Sequence, residues 1–149
     1  MNPSGSAPQE TGAGDAHGII RVQLSIPCET SQVATARRFV ERCLGPQAHV
    51  PVLLTSELVT NSVTHGPNAP GAAITITLTS LVRIEVTDPG GPSVPVLAPS
   101  RELADSGHGL ELVNAMSEQW GYRTEPGGRL VTWCEVAAAL TGDARRGRT

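Results

Sequence analysis

The chain has 149 residues, a formal net charge of −3 and a hydrophobic fraction of 39%, which suits one domain with its own core. The mild negative charge gives no electrostatic reason to expect nucleic acid or an anionic membrane as partner, and no apolar run is long enough to span a bilayer. All 11 basic residues are arginine, which excludes a Walker P-loop and a eukaryotic-type protein kinase, because both place a lysine on phosphate.

Residues 1–17 are rich in Ser, Gly, Pro and Ala without periodicity and are expected to form a disordered tail. Met1 to Gly18 shows no basic stretch followed by an apolar one, so no signal peptide is expected and the cytoplasm is the expected location. Ile19 to Ile26 alternates apolar and polar residues and predicts a strand ended by Pro27. Thr30 or Ser31 is placed to cap a helix reaching Leu44, with Val33, Ala36, Val40 and Cys43 on its apolar face. A second helix is predicted from Ala48 to His65, with Pro51 in its first turn and Val52, Val59 and Val63 inward, beside Leu58. Gly66, Pro67 and Asn68 stop it.

Ala73–Thr79 and Val82–Asp88 alternate as two strands, joined by a tight hairpin through Ser80 and Leu81. Residues 89–107 are rich in Gly, Pro and Ser, and a loop of that length inside a compact domain is usually functional. Leu110 to Trp120 predicts a third helix with Leu110, Val113, Met116 and Trp120 inward. Tyr122–Glu125 and Leu130–Val136 close the sheet around Gly127 and Gly128. Residues 141–149, with Arg145, Arg146 and Arg148, read as a second loose tail, which leaves a domain over 18–140. The order β-α-α-β-β-loop-α-β-β predicts a two-layer α/β sandwich, a mostly antiparallel sheet with its helices on one face. Cys28, Cys43 and Cys134 are odd in number and lack C-x-x-C spacing, so buried or half-buried thiols are expected rather than disulfides or a zinc site.

Three segments carry candidate chemistry. Glu57 and Asn61 stand four residues apart on one helix face, with His65 a turn further on. An amide oxygen suits Mg²⁺, which prefers oxygen ligands and often completes its shell with substrate phosphates. A carboxylate beside it is placed to accept a proton from an attacking hydroxyl. Asp88 ends a strand and is followed by Pro89 and Gly90; it is an acceptor for the amino group of an adenine, with a glycine that lets the backbone come close. Gly107, His108, Gly109 and Leu110 open a helix, where free backbone N–H groups favour phosphate. Taken alone, each segment reads more readily as an ordinary polar stripe, turn or helix entry. Their order and spacing together carry the weight.

These segments resemble the N, G1 and G2 boxes of the gyrase/Hsp90/histidine-kinase/MutL ATPase superfamily. More narrowly, residues 56–65 (SELVTNSVTH), Gly109 to Val113, Trp120-Gly121 and Trp133 resemble the short actinobacterial ATP-binding proteins related to anti-sigma-factor serine/threonine kinases. The resemblance covers residues 19 to 137 and implies a Bergerat ATP-binding fold. It implies that Glu57 is the general base and Asn61 the Mg²⁺ ligand, and that Asp88 with Gly90 reads adenine. Gly107 and Gly109 bind phosphate, residues 91–106 form the lid, and His65, His108, Leu110 and Thr132 are further nucleotide contacts.

The chain departs from the pattern twice. Relatives often carry an arginine in or beside the G-x-G, where this chain has Ser106 and His108, and His108 supplies positive charge only when protonated. Many relatives also place a threonine two residues before the final-strand tryptophan. That position is Val131 here, and strand alternation turns Thr132 to the opposite face. The resemblance implies ATP and Mg²⁺ as ligands and a serine/threonine kinase acting on an antagonist protein, with a sigma factor as a further partner. A non-catalytic ATP-sensing interaction module is the alternative. A homodimer follows from family analogy alone.

Overall fold

The computed structural model describes residues 9–14, 20–65, 73–79, 82–91 and 108–136, with side chains described for 21–64, 73–79, 82–91 and 110–136. The elements in chain order are β1 (Gln9–Gly14), β2 (Ile20–Pro27), a 3-10 turn (Thr30–Gln32), α1 (Val33–Leu44), α2 (His49–His65), β3 (Ala73–Thr79), β4 (Arg83–Asp88), α3 (His108–Met116), β5 (Gln119–Thr124) and β6 (Leu130–Glu135). They build a two-layer α/β sandwich. The six strands lie in the order β1-β2-β3-β4-β6-β5, and every neighbouring pair is antiparallel.

One face of the sheet makes the core. Alternation along each strand sends Leu24 and Ile26, then Ile74, Ile76 and Leu78, then Ile84 and Val86, and finally Cys134 to the same side. There they pack on Ala36, Phe39 and Val40 of α1, Leu54, Leu58 and Val59 of α2, and Val113 of α3. The helix α2 sits between α1 and α3 and over β4. Its buried stripe is Pro51, Leu54, Thr55, Leu58, Val59 and Ser62, a run at helical spacing. Val52 and Val63, expected at its centre, lie half-buried on its margins. Among the described residues no helix is long and apolar enough to cross a membrane.

Several expectations are corrected. Gln9–Gly14 was expected in a loose tail but pairs antiparallel with β2, with Glu10 opposite Leu24. What selects this strand is the open backbone edge of β2, and a reading of side-chain periodicity does not see it. Neither Thr30 nor Ser31 caps α1: a 3-10 turn precedes it, and its N-cap residue, Gln32, makes no side-chain cap hydrogen bond. Cys43, expected inward, is exposed, and the centre of the α1 face is Phe39, 1% exposed. The third helix stops at Met116. The Ser117 N–H donates to the Val113 carbonyl (3.0 Å), the Glu118 N–H crosses to the Glu135 carbonyl (2.7 Å), and Trp120 therefore lies in β5. It still packs on the core, and its Nε1 donates to Asn114 Oδ1 at 3.0 Å.

Residues 80 and 81 of the expected hairpin lie outside the described residues, but the register is set, with Leu78 opposite Ile84. Val82 closes the turn by donating its N–H to the Thr79 carbonyl at 2.9 Å, and it adopts φ 58°. Three-residue hairpin loops usually put glycine at that left-handed position. Val82 is held there by burial and by a hydrogen bond from the Val136 N–H to its carbonyl at 3.0 Å.

The opposite face of the sheet is polar. Arg83 bridges Glu85 and Glu135, both at 2.8 Å, and lies over the Trp133 ring at 4.0 Å. Arg123 adds a second contact to Glu85 at 3.2 Å. Burial alone would raise the Glu85 pKa, but hydrogen bonds from Arg83 and Arg123 outweigh it and hold the carboxyl below its ordinary value.

Candidate functional site

The candidate residues gather at one end of the sheet because of how the elements are connected. The ladders place Pro27 opposite Ala73, and Asp88 opposite Leu130. Since Ala73 begins β3 where Asp88 ends β4, these residues share one end. The C-terminal half of α2, with Asn61, leads back to that end, because the chain re-enters the sheet at Ala73. Only Ser117 and Glu118 separate α3 from β5, so α3 folds back along β5. Its N-terminal turn, with Gly109 and Leu110, therefore points to the same end.

Glu57 and Asn61 are half-buried on one flank of α2. Val52 and Ser56 lie roughly opposite Asn61 around the helix, and they line a pocket of about 280 Å³ with Arg37 and Glu41 of α1. The α1–α2 pocket contains none of the candidate residues.

Asp88 is 3% exposed at the end of β4. It continues the inward alternation of Ile84 and Val86, and its Oδ1 accepts the Gly90 N–H at 2.7 Å. Gly90 has φ +85°, and a Cβ built there would collide with the Gly128 carbonyl oxygen, with the carbonyl carbon only 3.1 Å away. This glycine is required by its backbone conformation and by the close approach of the β5–β6 turn. The sequence had suggested room for a ligand or an ordinary turn residue.

Thr132 lies opposite Val86 and is 1% exposed. It shares the helix-facing side with Asp88, two residues along the neighbouring strand, which makes the two diagonal neighbours roughly 7–8 Å apart. Alternation was expected to turn Thr132 away from the site. The relative orientation of 131 and 132 is as expected, but Val131 is the residue that faces away from Asp88.

Cys28 is a residue that sequence reasoning missed. Cys28 follows directly on β2, and burial, the negative charge of Asp88 and that of Glu29 push its thiol pKa up. Cys134, by contrast, is raised to about 12, mainly by burial, and is an inert core thiol.

Leu110 is buried in the first turn of α3, 5% exposed. His108 and Gly109 are placed in that helix by their backbone, as His65 is in α2, and their side chains lie outside the described residues. Gly107 and the expected lid, apart from Gly91, lie outside them as well. The structure therefore places Asp88, Gly90 and Thr132 together at one end of the sheet, with Asn61 and Leu110 on the helix ends that lead to it and Glu57 one turn further back.

No curated protein matches the sequence. A family model described as the histidine kinase-like ATPase domain matches residues 26–134, a span that contains all three candidate segments. The chain belongs to the histidine kinase-like ATPase domain family.

Proposed function

We propose that the chain binds ATP with Mg²⁺ at this end of the sheet and is a regulatory serine/threonine protein kinase of anti-sigma-factor type. The observation that carries the nucleotide reading is Asp88, a buried carboxylate at a strand end. One of its oxygens is fixed by the Gly90 N–H and Thr132 stands on the same face. Such a carboxylate is an acceptor for the exocyclic amine of adenine, and the N-terminal turn of α3 is a phosphate-binding element. The donor set therefore fits the nucleotide.

In this reading Asn61 would hold Mg²⁺ through its amide oxygen, and the ion would neutralise phosphate charge. Gly107, His108, Gly109 and Leu110 wrap the phosphates, His65 lies nearby, and residues 91–106 close over the nucleotide. Glu57 accepts the proton of an incoming hydroxyl as the new P–O bond forms and the bond from the γ-phosphorus to ADP breaks. The protein substrate is a small antagonist domain. A sigma factor is a second partner, a homodimer the assembly and the cytoplasm the location. A second reading, a non-catalytic ATP sensor, is favoured by one observation: Ser106 and His108 stand where relatives often carry an arginine.

Two expected outcomes test the site. Asp88→Asn keeps the shape but presents mixed polarity where an acceptor is needed. It is expected to weaken ATP binding by about 10- to 100-fold in calorimetric titration, and unchanged affinity removes Asp88 from the base site. Asn61→Ala is expected to cut the gain in ATP affinity from Mg²⁺ to under about threefold, whereas an unaltered Mg²⁺ response takes Asn61 out of the metal shell.

A further inference from the structure

The turn between β5 and β6 closes directly against the loop that carries Asp88. Continuing the β4–β6 register beyond the Asp88–Leu130 pair sets Gly90 across from Gly128. The Gly128 carbonyl occupies the space a Gly90 side chain would need, and the Gly90 N–H in turn holds Asp88 Oδ1 at 2.7 Å. The turn is itself well tied. The Glu125 N–H donates to the Arg129 carbonyl at 2.8 Å, the Gly128 N–H donates to the Glu125 carbonyl at 2.9 Å, and Arg129 pairs with Glu125 at 3.1 Å.

We propose that Gly128 is a positioning residue for base recognition: its carbonyl seats Gly90, and Gly90 orients the Asp88 carboxylate. The β5–β6 turn thereby sets adenine selectivity from outside the residues that meet the base. This inference rests on the reading of Asp88 as the adenine acceptor.

The turn supplies its own control. Gly127 and Gly128 both have positive φ, +95° and +91°, and a Cβ added to either meets nothing within 4 Å. Gly127→Ala and Gly128→Ala therefore add the same strain in the same exposed turn, but only residue 128 presents its carbonyl to Gly90. Two readouts are taken on the full chain. The first is hydrogen exchange of the Gly90 amide without nucleotide. The second is the ratio of ATP to inosine triphosphate affinity, because inosine has a carbonyl where adenine has its amine.

Gly128→Ala is expected to speed Gly90 exchange at least tenfold and to narrow the affinity ratio about five- to tenfold. Gly127→Ala is expected to change each less than twofold. Gly128→Asn, whose side chain tolerates positive φ, is expected to recover most of both. Equal effects of the two alanine variants, or lost stability at 128 with both readouts unmoved, overturn the proposal. The exchange experiment needs no nucleotide, so it separates the two possible failures. Intact coupling in a chain that binds both triphosphates equally overturns the Asp88 reading and the selectivity claim with it.

Discussion

Gly90→Ala is expected to destabilise the domain by about 3–5 kcal/mol, the sum of two separable effects. The first is conformational: at φ +85° an L side chain is strained by roughly 1–2 kcal/mol. The second is steric, because the added methyl meets backbone rather than a side chain able to rotate away. Gly45 isolates the first effect, since it has φ +102° at the end of α1 and a Cβ there meets nothing within 4 Å. Gly45→Ala, at ψ 166° in a region that L residues rarely enter, is thus expected to lose about 1–3 kcal/mol from conformation alone. The check is urea unfolding of both variants beside the parent chain. Similar losses at the two positions would mean that the β5–β6 turn yields freely and does not pin Gly90. A much larger loss at Gly90 means that the turn and the Asp88 loop are one mechanical unit.

The sequence made the central elements legible because their burial follows simple periods. The alternation of Ile74, Ile76 and Leu78 against Thr75, Thr77 and Thr79 predicts β3 to the residue. The α2 span was read to within one residue at its start, although its buried stripe includes Thr55 and Ser62, which an apolar count passes over. Thr55 is tolerated there because its hydroxyl donates to the Pro51 carbonyl at 2.8 Å. Features fixed by partners distant in sequence were not legible. Trp120 continues the helical spacing of Leu110, Val113 and Met116, yet the crossing from Glu118 to Glu135 turns the chain into the sheet first. Cys43 and Phe39 both lie within α1, and only the position of the sheet decides which is covered. In the site, the residue types and spacings of Glu57, Asn61 and Asp88 were readable one segment at a time. What sequence could not supply was which side of β6 faces the helices. It therefore left open whether Thr132 faces the site, and it left the influence of Asp88 on Cys28 unsuspected.

The same layout bears on whether the protein turns ATP over. Glu57 and Asn61 share a flank of α2, but only Asn61 belongs to the turn of the helix that leads back to the Asp88 end. Glu57, one turn earlier, is set back from Asp88. In the proposed reading, that places it near the γ-phosphate and an incoming hydroxyl rather than near the base. Glu57→Ala is therefore expected to leave ATP affinity within about threefold while lowering phosphoryl transfer by about 10²- to 10⁴-fold, the range for losing a general base. The affinity is read by calorimetry with Mg²⁺, and the transfer by release of ADP in the presence of candidate antagonist domains. Loss of binding equal to the loss of transfer would make Glu57 a structural carboxylate. A parent chain that binds ATP but releases no more ADP than Glu57→Ala would establish the sensor reading: the nucleotide then sets conformation alone, and the Ser106 and His108 substitutions have removed the charge that transfer requires.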